Sequence, residues 1–385
     1  MRDFRKTIAV LSATILSACQ GAVIDRPTLS AADLKAEGLR QEVSREQAWI
    51  DVNARLNDIS YPILRGGTAL CGPDWTMLSD GIGFASLANY DKSKHDVMTD
   101  GFGMNFRPQA IFVVKGSPAE QAGVLVGDKF LIYRGVEVSD QENAFDIVHV
   151  ELRNREKTTQ RTFPYRIKRG DDIIDLEIDL VPVCSYPVYV EESTETNAYA
   201  NGKEIIFTRS MMRLMDDYSL AVIAGHELAH NVMSHNEKSA ANAAPAMAAG
   251  FAVDLLAALA GVNTQGAFMK MAGNAAHAHF SVDFESEADT VGMYLLAMGG
   301  YPVEGAENVW RKMAAEVGTS IYQDTSHPPS AERYLNLAHL SKEISAKIEA
   351  GDSLRPPLPE DWEPKKAASD TEGQAQLVED TNEKR

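Results

Sequence analysis

The spacing of hydrophobic and polar residues first predicts one long helix near the start of the chain. From Ser30 to about Ile59, apolar residues recur among charged ones at helical intervals, and Ser30 is well suited to cap such a helix. Tyr61-Pro62 and Arg65-Gly66-Gly67 predict its end. We therefore expect residues 20–70 to contain a short tether and then a helix with a packing role.

The pattern changes to short strands over residues 71–183 and to helices over residues 184–345. The first region has β-type apolar runs separated by glycines, and the second has one hairpin-like segment before longer helical periods. Residues 346–385 are rich in polar residues and proline and are expected to be a disordered tail. The pattern indicates an α+β protein with several domains. The β-type runs are Ile111–Val114, Lys129–Tyr133 and Ile173–Ile178.

A glycine-bounded motif lies between two of these runs. Residues Gly116–Val124 read GSPAEQAGV, and Gly127-Asp128 follows. This resembles the signature of PDZ domains, which implies that residues 71–183 form a β-rich domain binding an extended peptide, often a C-terminus, at a sheet edge. Gly81–Phe84 looks like a carboxylate-binding loop, and Gly101–Met104 is its rival; the polar stretch between them is expected to be an insertion.

Residues 1–19 have the features of an export signal. Arg2, Arg5 and Lys6 precede an apolar run, Thr7–Ala18, that is too short to span a bilayer as a stable helix. The run ends in Leu-Ser-Ala before Cys19, which resembles the lipobox of bacterial lipoproteins and implies lipidation of Cys19 and a membrane anchor. The next residue is not aspartate, which by the same resemblance implies sorting to the outer membrane, facing the periplasm. An ordinary secretory signal with an incidental cysteine is the alternative.

Charge and cysteine content limit the partners and the compartment. The 55 acidic and 37 basic residues give a formal net charge of −18, and such a surface repels phosphate backbones, so we expect no nucleic acid partner. Besides Cys19 the chain contains Cys71 and Cys184. An oxidising periplasm permits a disulfide bond between them, and two buried free thiols are the alternative.

Two histidines on one predicted helix form the first candidate site. The run Leu220–Met233 is helical in pattern, and His226 and His230 are four residues apart, so about 400° of rotation places them on one face. Two imidazoles in this arrangement can bind one zinc ion, and Glu227 beside them can take a proton from an attacking water. Histidines at this spacing also occur as ordinary surface or core residues, so the motif alone leaves both interpretations open.

A catalytic zinc ion needs a third protein ligand, and His235 is the nearest candidate in the sequence. If the helix continues, His235 points about 180° away from His226. This makes His235 a poor zinc ligand.

A better third ligand lies at the start of a second predicted helix, which ends at Gly299-Gly300. Glu285 and Asp289 share one face of that helix, whereas Glu287 points about 200° away from Glu285. A ligand supported by a neighbouring carboxylate therefore fits Glu285 with Asp289. Solvated acids at a helix start are the alternative.

The sequences HELAH, at His226–His230, and ESEAD, at Glu285–Asp289, together resemble the gluzincin family of HtpX-type proteases and CAAX prenyl endopeptidases. The resemblance covers about residues 184–345 and implies a mainly α-helical, zincin-type metallopeptidase domain. It implies one zinc ion (Zn²⁺) per chain, held by His226, His230 and Glu285. Glu227 would act as general base and then as general acid.

Other residues match the same family less specifically. Asp289 would support the ligands, and Arg333 would lie nearby in a structural ion pair. His327, in the run Ser-His-Pro-Pro, would either stabilise the oxyanion or occupy the open zinc position. Asn197 and Tyr199 would lie on an edge strand that pairs with the substrate backbone, with ordinary strand packing as the alternative.

These features predict an endopeptidase that cleaves unfolded or misassembled proteins of the bacterial cell envelope, with the PDZ-like domain presenting substrates. The alternative is a PDZ-bearing periplasmic binding protein or chaperone with a silent zinc site. Many family members have transmembrane helices, but the nearest candidate here, Ala243–Val262, is interrupted by Pro245 and Asp254. We expect a packed or partly mobile amphipathic helix there rather than a span.

Overall fold

The computed structural model describes residues 28–155, 160–259, 264, 282–317 and 331–366. The expected lipidation site Cys19 and the candidate His327 lie outside these residues. The chain divides into two compact units, Met1–Ser44 and Arg45–Arg385. The described part of the first unit consists of residues 28–30 and the beginning of the first helix.

The helices and strands are numbered along the described residues. The longer helices are α1 Ala31–Gly66, α3 His95–Phe102, α5 Ala144–Arg155, α7 Asp217–Val232, α8 His235–Leu259, α9 Val282–Met298, α10 Glu307–Val317 and α11 Ala331–Ala350. The shorter helices are α2 Thr68–Cys71, α4 Pro118–Gln121 and α6 Arg209–Leu214. The strands are β1 Thr76–Ser79, β2 Ile82–Ala85, β3 Gln109–Val113, β4 Lys129–Tyr133, β5 Val136–Glu137, β6 Thr162–Arg169, β7 Asp172–Asp179, β8 Val181–Cys184, β9 Val188–Glu191, β10 Ala198–Ala200 and β11 Ile205–Thr208.

Helix α1 is longer than its sequence predicts. It continues through Pro62 to Gly66, although proline was expected to end it. Proline removes one helical hydrogen bond, but the flanking residues Ile59, Ile63 and Leu64 are buried in the largest hydrophobic core. Burial of these side chains therefore overrides the local signal.

The region between α2 and β9 is β-rich, as expected. Its main sheet has the order β2-β3-β4-β6-β7, with β5 paired to β4 and every neighbouring pair antiparallel. Strand β6 alternates between buried and exposed positions, and its buried residues Phe163, Tyr165 and Ile167 belong to a core of their own. This alternation is the period of two of a half-buried strand, although β6 was not among the strands predicted from the sequence.

The buried carboxylate of Asp80, just before β2, is surrounded by hydrogen-bond donors. It accepts from the hydroxyls of Tyr133 and Tyr165, both at 2.8 Å, from Arg134 Nη2 at 3.1 Å and from the Ile82 amide at 3.1 Å. Burial opposes ionisation, but Arg134 and the hydroxyl and amide donors outweigh it, so the pKa of Asp80 is lowered. This cluster ties β2 to β4 and β6.

The polar stretch expected as an insertion between β2 and β3 has a small core of its own. Met98 of α3 and Met104 are fully buried there with Leu87 and Ala85. The rival loop Gly101–Met104 ends α3 and is not a strand-entry loop, since Gly103 has the left-handed conformation of a helix cap.

A disulfide bond joins the two ends of the β-rich region. Cys71 at the end of α2 is bonded to Cys184 at the end of β8, as one of the two sequence interpretations expected. Beside it, β1 and β8 pair in a separate two-stranded antiparallel sheet, with Thr76 opposite Cys184. Both ends of the region are thus fixed next to α2.

The region after the disulfide has a three-stranded sheet in the order β10-β11-β9, in which β9 is parallel and β10 antiparallel to β11. Helices α7 and α9 pack closely because glycines face each other where they meet. A Cβ atom on Gly225 would lie 2.9 Å from the carbonyl oxygen of Gly292, and one on Gly292 would lie 3.0 Å from the His226 backbone. This contact brings the start of α9 against the histidines of α7.

The end of the described chain differs from the expected disordered tail at residues 346–385. Helix α11 continues to Ala350, and Leu354, Leu358 and Trp362 pack against the largest core. Lys365 Nζ donates to the Gly202 carbonyl at 2.6 Å. The sequence pattern missed these contacts because a few apolar residues in irregular backbone leave no periodicity.

Among the described residues, no helix combines the length and the apolar character needed to cross a membrane.

Candidate metal centre

Helix α7 carries the two histidines in a fully buried run. Its N-cap residue Asp216 accepts from the Ser219 amide at 2.8 Å and pairs with Lys312 Nζ at 2.8 Å. The hydrogen bond from Lys312, with that of Ser219, lowers the pKa of Asp216 to about 2, so the cap is ionised at neutral pH. From Ser219 to Val232 every residue is buried, which fixes the helix rigidly in the core.

The structure brings the three predicted ligands together. The Nε2 atoms of His226 and His230 are 3.1 Å apart. Glu285 Oε2 lies 3.5 Å from His226 Nε2, and Glu285 Oε1 lies 3.3 Å from His230 Nε2. The relative exposures of the residues are 2%, 0% and 0%, so the cluster is shielded from bulk water. It is the one group among the described residues whose His, Cys, Asp or Glu atoms could together hold a metal ion.

These separations fit a zinc ion. Zinc binds histidine nitrogen and carboxylate oxygen at about 2.0–2.2 Å in tetrahedral geometry, which places neighbouring ligand atoms about 3.3–3.6 Å apart. The two distances to Glu285 are 3.3 and 3.5 Å and the distance between the imidazoles is 3.1 Å, close to that range. Two imidazoles and one carboxylate also form a common donor set of catalytic zinc sites. The residues therefore suit the metal that the sequence motif implies.

Asp289 and Arg333 contact the candidate ligands His226 and Glu285 and also contact each other. Asp289 Oδ1 lies 3.0 Å from His226 Nδ1. Arg333 forms a two-pronged contact with Asp289, with Nε at 2.7 Å and Nη2 at 2.8 Å, and its Nη1 lies 2.9 Å from Glu285 Oε2. The geometry matches the predicted ion pair of Arg333 and the predicted support by Asp289. Trp310 lies next to the same residues. Its ring centroid is 4.9 Å from that of His226, and the Arg333 guanidinium lies over the Trp310 ring, 5.0 Å from its centroid.

The electrostatics of the centre favour a cation. Burial lowers the pKa of His226, but hydrogen bonds and charge from Asp289 and Glu285 outweigh it and raise that pKa to about 9. Burial also opposes the ionisation of Asp289, which Arg333 and His226 more than offset, so the pKa of Asp289 is lowered. Positive charge at His226 is therefore stabilised by the neighbouring carboxylates.

His235 lies closer to the centre than its sequence position suggested. The expectation that it points away from His226 assumed a continuous helix, but α7 ends at Val232 and Ser234 has a positive φ of 56°. This turn starts a new helix, so that His235 Nδ1 lies 2.9 Å from His230 Nδ1. His235 Nε2 in turn lies 2.7 Å from Glu287 Oε2.

The remaining candidates are placed as follows. Glu227 is buried on α7 next to His226, and its role as general base stays a prediction. Asn197 precedes and Tyr199 lies on β10, an edge strand of the three-stranded sheet as expected. The Tyr199 hydroxyl donates to Glu191 at 2.9 Å.

The contacts of Glu287 and Trp310 were missed by the sequence analysis. The five-residue spacing from His230 to His235 was visible, but the turn at Ser234 gives no glycine signal. Trp310 is far from His226 in the sequence, so no helical or strand periodicity could have predicted their contact.

A peptidase family matches the part of the chain that contains this group of side chains. Residues 176–341 match the model of Peptidase family M48. This range contains the histidine pair, Glu285, Asp289 and Arg333. The match agrees with the expectation of an enzyme of the metalloendopeptidase class and does not favour the alternative of a silent binding protein.

Two curated relatives lie in the same class. The metalloprotease YcaL of Escherichia coli K12 is 29% identical over 150 residues, 39% of this chain and 59% of the relative. The mitochondrial metalloendopeptidase OMA1 of Schizosaccharomyces pombe is 24% identical over 180 residues, 43% of this chain and 50% of the relative. The chain thus spans little more than half the length of the curated relatives it matches.

A PDZ domain is among the solved structures that match part of the chain. The crystal structure of the HtrA3 PDZ domain bound to a phage-derived ligand is 18% identical and is covered to 91%, with 29% of this chain aligned. Its TM-score of 0.21 carries no argument about fold. The PDZ interpretation of the β-rich region therefore stays a prediction.

Proposed function

We propose that this protein is a zinc-dependent endopeptidase whose metal is held by His226, His230 and Glu285. The observation that carries the proposal is the convergence of these three side chains, within 4.8 Å of one another, inside the residues that match a metallopeptidase family. The carboxylates of Asp289 and Glu285 favour a cation at the same place. Two imidazoles and a carboxylate leave a fourth position for water or substrate on a tetrahedral ion.

The side chains then have distinct tasks. Zinc, when bound, supplies a Lewis acid that polarises the scissile carbonyl and acidifies the attacking water. Glu227 takes a proton from that water and passes it to the leaving amine nitrogen. Asp289 accepts a hydrogen bond from His226 Nδ1 and so keeps the Nε2 lone pair directed at the ion. Arg333 keeps the carboxylates of Asp289 and Glu285 in position.

Strand β10 supports recognition of an extended substrate. The Thr208 amide donates to the Asn197 carbonyl at 2.9 Å, so the alternation of an antiparallel ladder turns the backbone groups of Ala198 and Ala200 toward the opposite edge. The Ala200 carbonyl already accepts from Asn236 Nδ2 at 3.1 Å. The backbone of Ala198 is therefore our choice for pairing with substrate, in preference to the side chains of Asn197 and Tyr199.

A substrate can pair with Ala198 in this way only where its own chain is locally unfolded. This supports unfolded or misassembled proteins as substrates. The β-rich region would present them, since β2 lies at the edge of its described sheet and could accept a peptide as an added strand. A C-terminal carboxylate at Gly81–Phe84 would have to displace Asp80 from the Ile82 amide.

The envelope location is part of the same proposal. The disulfide between Cys71 and Cys184 fits an oxidising compartment, and the lipobox-like sequence at Cys19 fits a lipid anchor in the outer membrane. Replacing Cys19 with serine should abolish incorporation of labelled palmitate in bacterial cells. Unchanged labelling would disprove the anchor.

The mechanism is tested by Glu227→Gln. The amide keeps the shape of the side chain but cannot accept the proton, so cleavage of an unfolded protein such as casein should fall by about 10²–10⁴-fold. Zinc content, measured by elemental analysis, should stay at one ion per chain. The matched control is Asp283→Asn, an exposed acid two residues before Glu285, which should leave cleavage unchanged. Full activity of Glu227→Gln, or of the chelator-treated enzyme, would sink the proposal.

A further inference from the structure

A chain of hydrogen bonds runs from a partly exposed carboxylate to the buried ligand His230. Glu287 Oε2 lies 2.7 Å from His235 Nε2, and His235 Nδ1 lies 2.9 Å from His230 Nδ1. His235 and His230 are fully buried, whereas the Glu287 side chain is 30% exposed. The rings of the two histidines meet edge to face, 4.9 Å apart at 77°.

We propose that Glu287 and His235 are positioning residues that fix the ring tautomer of His230, so that its Nε2 lone pair faces the metal. The inference rests on the proposed function, because it assigns a purpose to groups next to the zinc ligands. It concerns the holding of the metal and assigns no proton transfer to either residue.

The direction of each hydrogen bond follows from elementary chemistry. An ionised carboxylate only accepts, so Glu287 requires a proton on His235 Nε2. A neutral imidazole then has a lone pair on Nδ1, which can only accept, and this requires a proton on His230 Nδ1. The second nitrogen of His230, Nε2, is left with the lone pair that faces Glu285 and His226. One carboxylate thus determines the tautomer of a ring that it does not touch.

The two metal-binding histidines are therefore supported in different ways. His226 Nδ1 meets a carboxylate directly, that of Asp289 at 3.0 Å. His230 meets a carboxylate through an intervening imidazole. Partners of this kind typically change metal affinity by about 10–100-fold when removed.

Packing alone is the competing explanation for His235. Its ring is stacked on Phe284, with centroids 4.6 Å apart and an angle of 12°. His235→Phe separates the two explanations, since a phenyl ring can keep the stack but cannot accept from His230. His235→Asn does the reverse, because its amide oxygen can accept from His230 without any help from Glu287.

The experiment measures the zinc dissociation constant of the full chain by competition with a chromophoric chelator. We expect His235→Phe to raise it about 10–100-fold and Glu287→Ala to raise it by a smaller factor. Glu287→Gln should restore most of the affinity, because its amide oxygen still accepts from His235. In the His235→Asn background, Glu287→Ala should have no further effect. The control Lys238→Met removes a charge 3.8 Å from Glu287 and should leave the affinity unchanged.

Ring ¹⁵N chemical shifts give a second readout. In the zinc-bound wild type, His230 should show a protonated Nδ1 and His235 a protonated Nε2. Wild-type affinity in His235→Phe, or the opposite tautomer of His235, would overturn the inference. Failure of the wild type itself to bind zinc would instead overturn the proposed function, so the two failures are distinguishable.

Discussion

The β-rich region and the helical region each bury a carboxylate beside an arginine, and the other neighbours of the two carboxylates differ. Around Asp80, hydroxyl, guanidinium and amide donors all point at the carboxylate. Around Glu285, Arg333 Nη1 lies 2.9 Å from Oε2, but two imidazole nitrogens also lie within 3.3–3.5 Å of its oxygens, so atoms that can offer lone pairs face one another there. Protein groups supply the hydrogen-bond donors around Asp80, whereas the atoms around Glu285 are arranged to bind a cation. Burial alone does not separate a structural carboxylate from a functional one, whereas the presence of neighbouring atoms that can share a metal ion does.

The largest expected difference between the two clusters is their response to zinc. At a free zinc concentration of 1,000 times the dissociation constant, binding should raise the free energy of unfolding by about 4 kcal/mol. His226→Ala should lose this increment, and Asp80→Asn should keep all of it. Urea unfolding of the full chain, with and without zinc, measures both. A zinc increment that disappears in Asp80→Asn would mean that the two regions do not behave separately.

The second effect is on stability without metal. Asp80→Asn leaves the buried Arg134 without its charged partner and should lower the free energy of unfolding at neutral pH by about 3 kcal/mol. Because the folded pKa of Asp80 is lowered, its contribution is present above its unfolded pKa, about 3.9, and is lost as the pH falls through the folded value. The difference between wild type and variant should therefore shrink below about pH 4. A pH-independent difference would contradict this reading.

The smallest expected effect concerns the turn that brings His235 to the centre. Ser234 has a left-handed backbone, which costs an ordinary residue about 1 kcal/mol and costs glycine nothing. Glycine loses a similar amount through its more flexible unfolded state, so Ser234→Gly should change the free energy of unfolding by less than about 0.5 kcal/mol. Zinc affinity should not change. A large loss of affinity would show that the serine hydroxyl, and not only the backbone, matters to the centre.

The sequence predicted the features that depend on local spacing. The four-residue intervals of His226 with His230 and of Glu285 with Asp289 place each pair on one helix face, and the structure brings the two faces together. The β-type runs Lys129–Tyr133 and Ile173–Ile178 likewise lie in the strands β4 and β7. Each of these depends only on the period of a helix or a strand.

Features that depend on a single backbone turn or on distant packing were missed. His235 was expected to point away from His226 if the helix continued, and this condition fails because Ser234 changes the direction of the chain without a glycine to mark it. His235 is nevertheless not among the three side chains that could hold the metal. Helix α1 runs past Pro62 because Ile63 and Leu64 are buried by residues far away in the sequence. Propensity and periodicity describe neighbours along the chain, and these outcomes were decided by neighbours in space.

The disulfide between Cys71 and Cys184 encloses the whole β-rich region in one covalent ring, since 113 positions separate the two cysteines. A single cut in any loop of that ring would release nothing, because the N-terminal and C-terminal pieces would stay linked through sulfur. In the envelope role proposed above, the protein would thus remain a single molecule after one such cut. On a gel it would run as one band without reductant and as two with it.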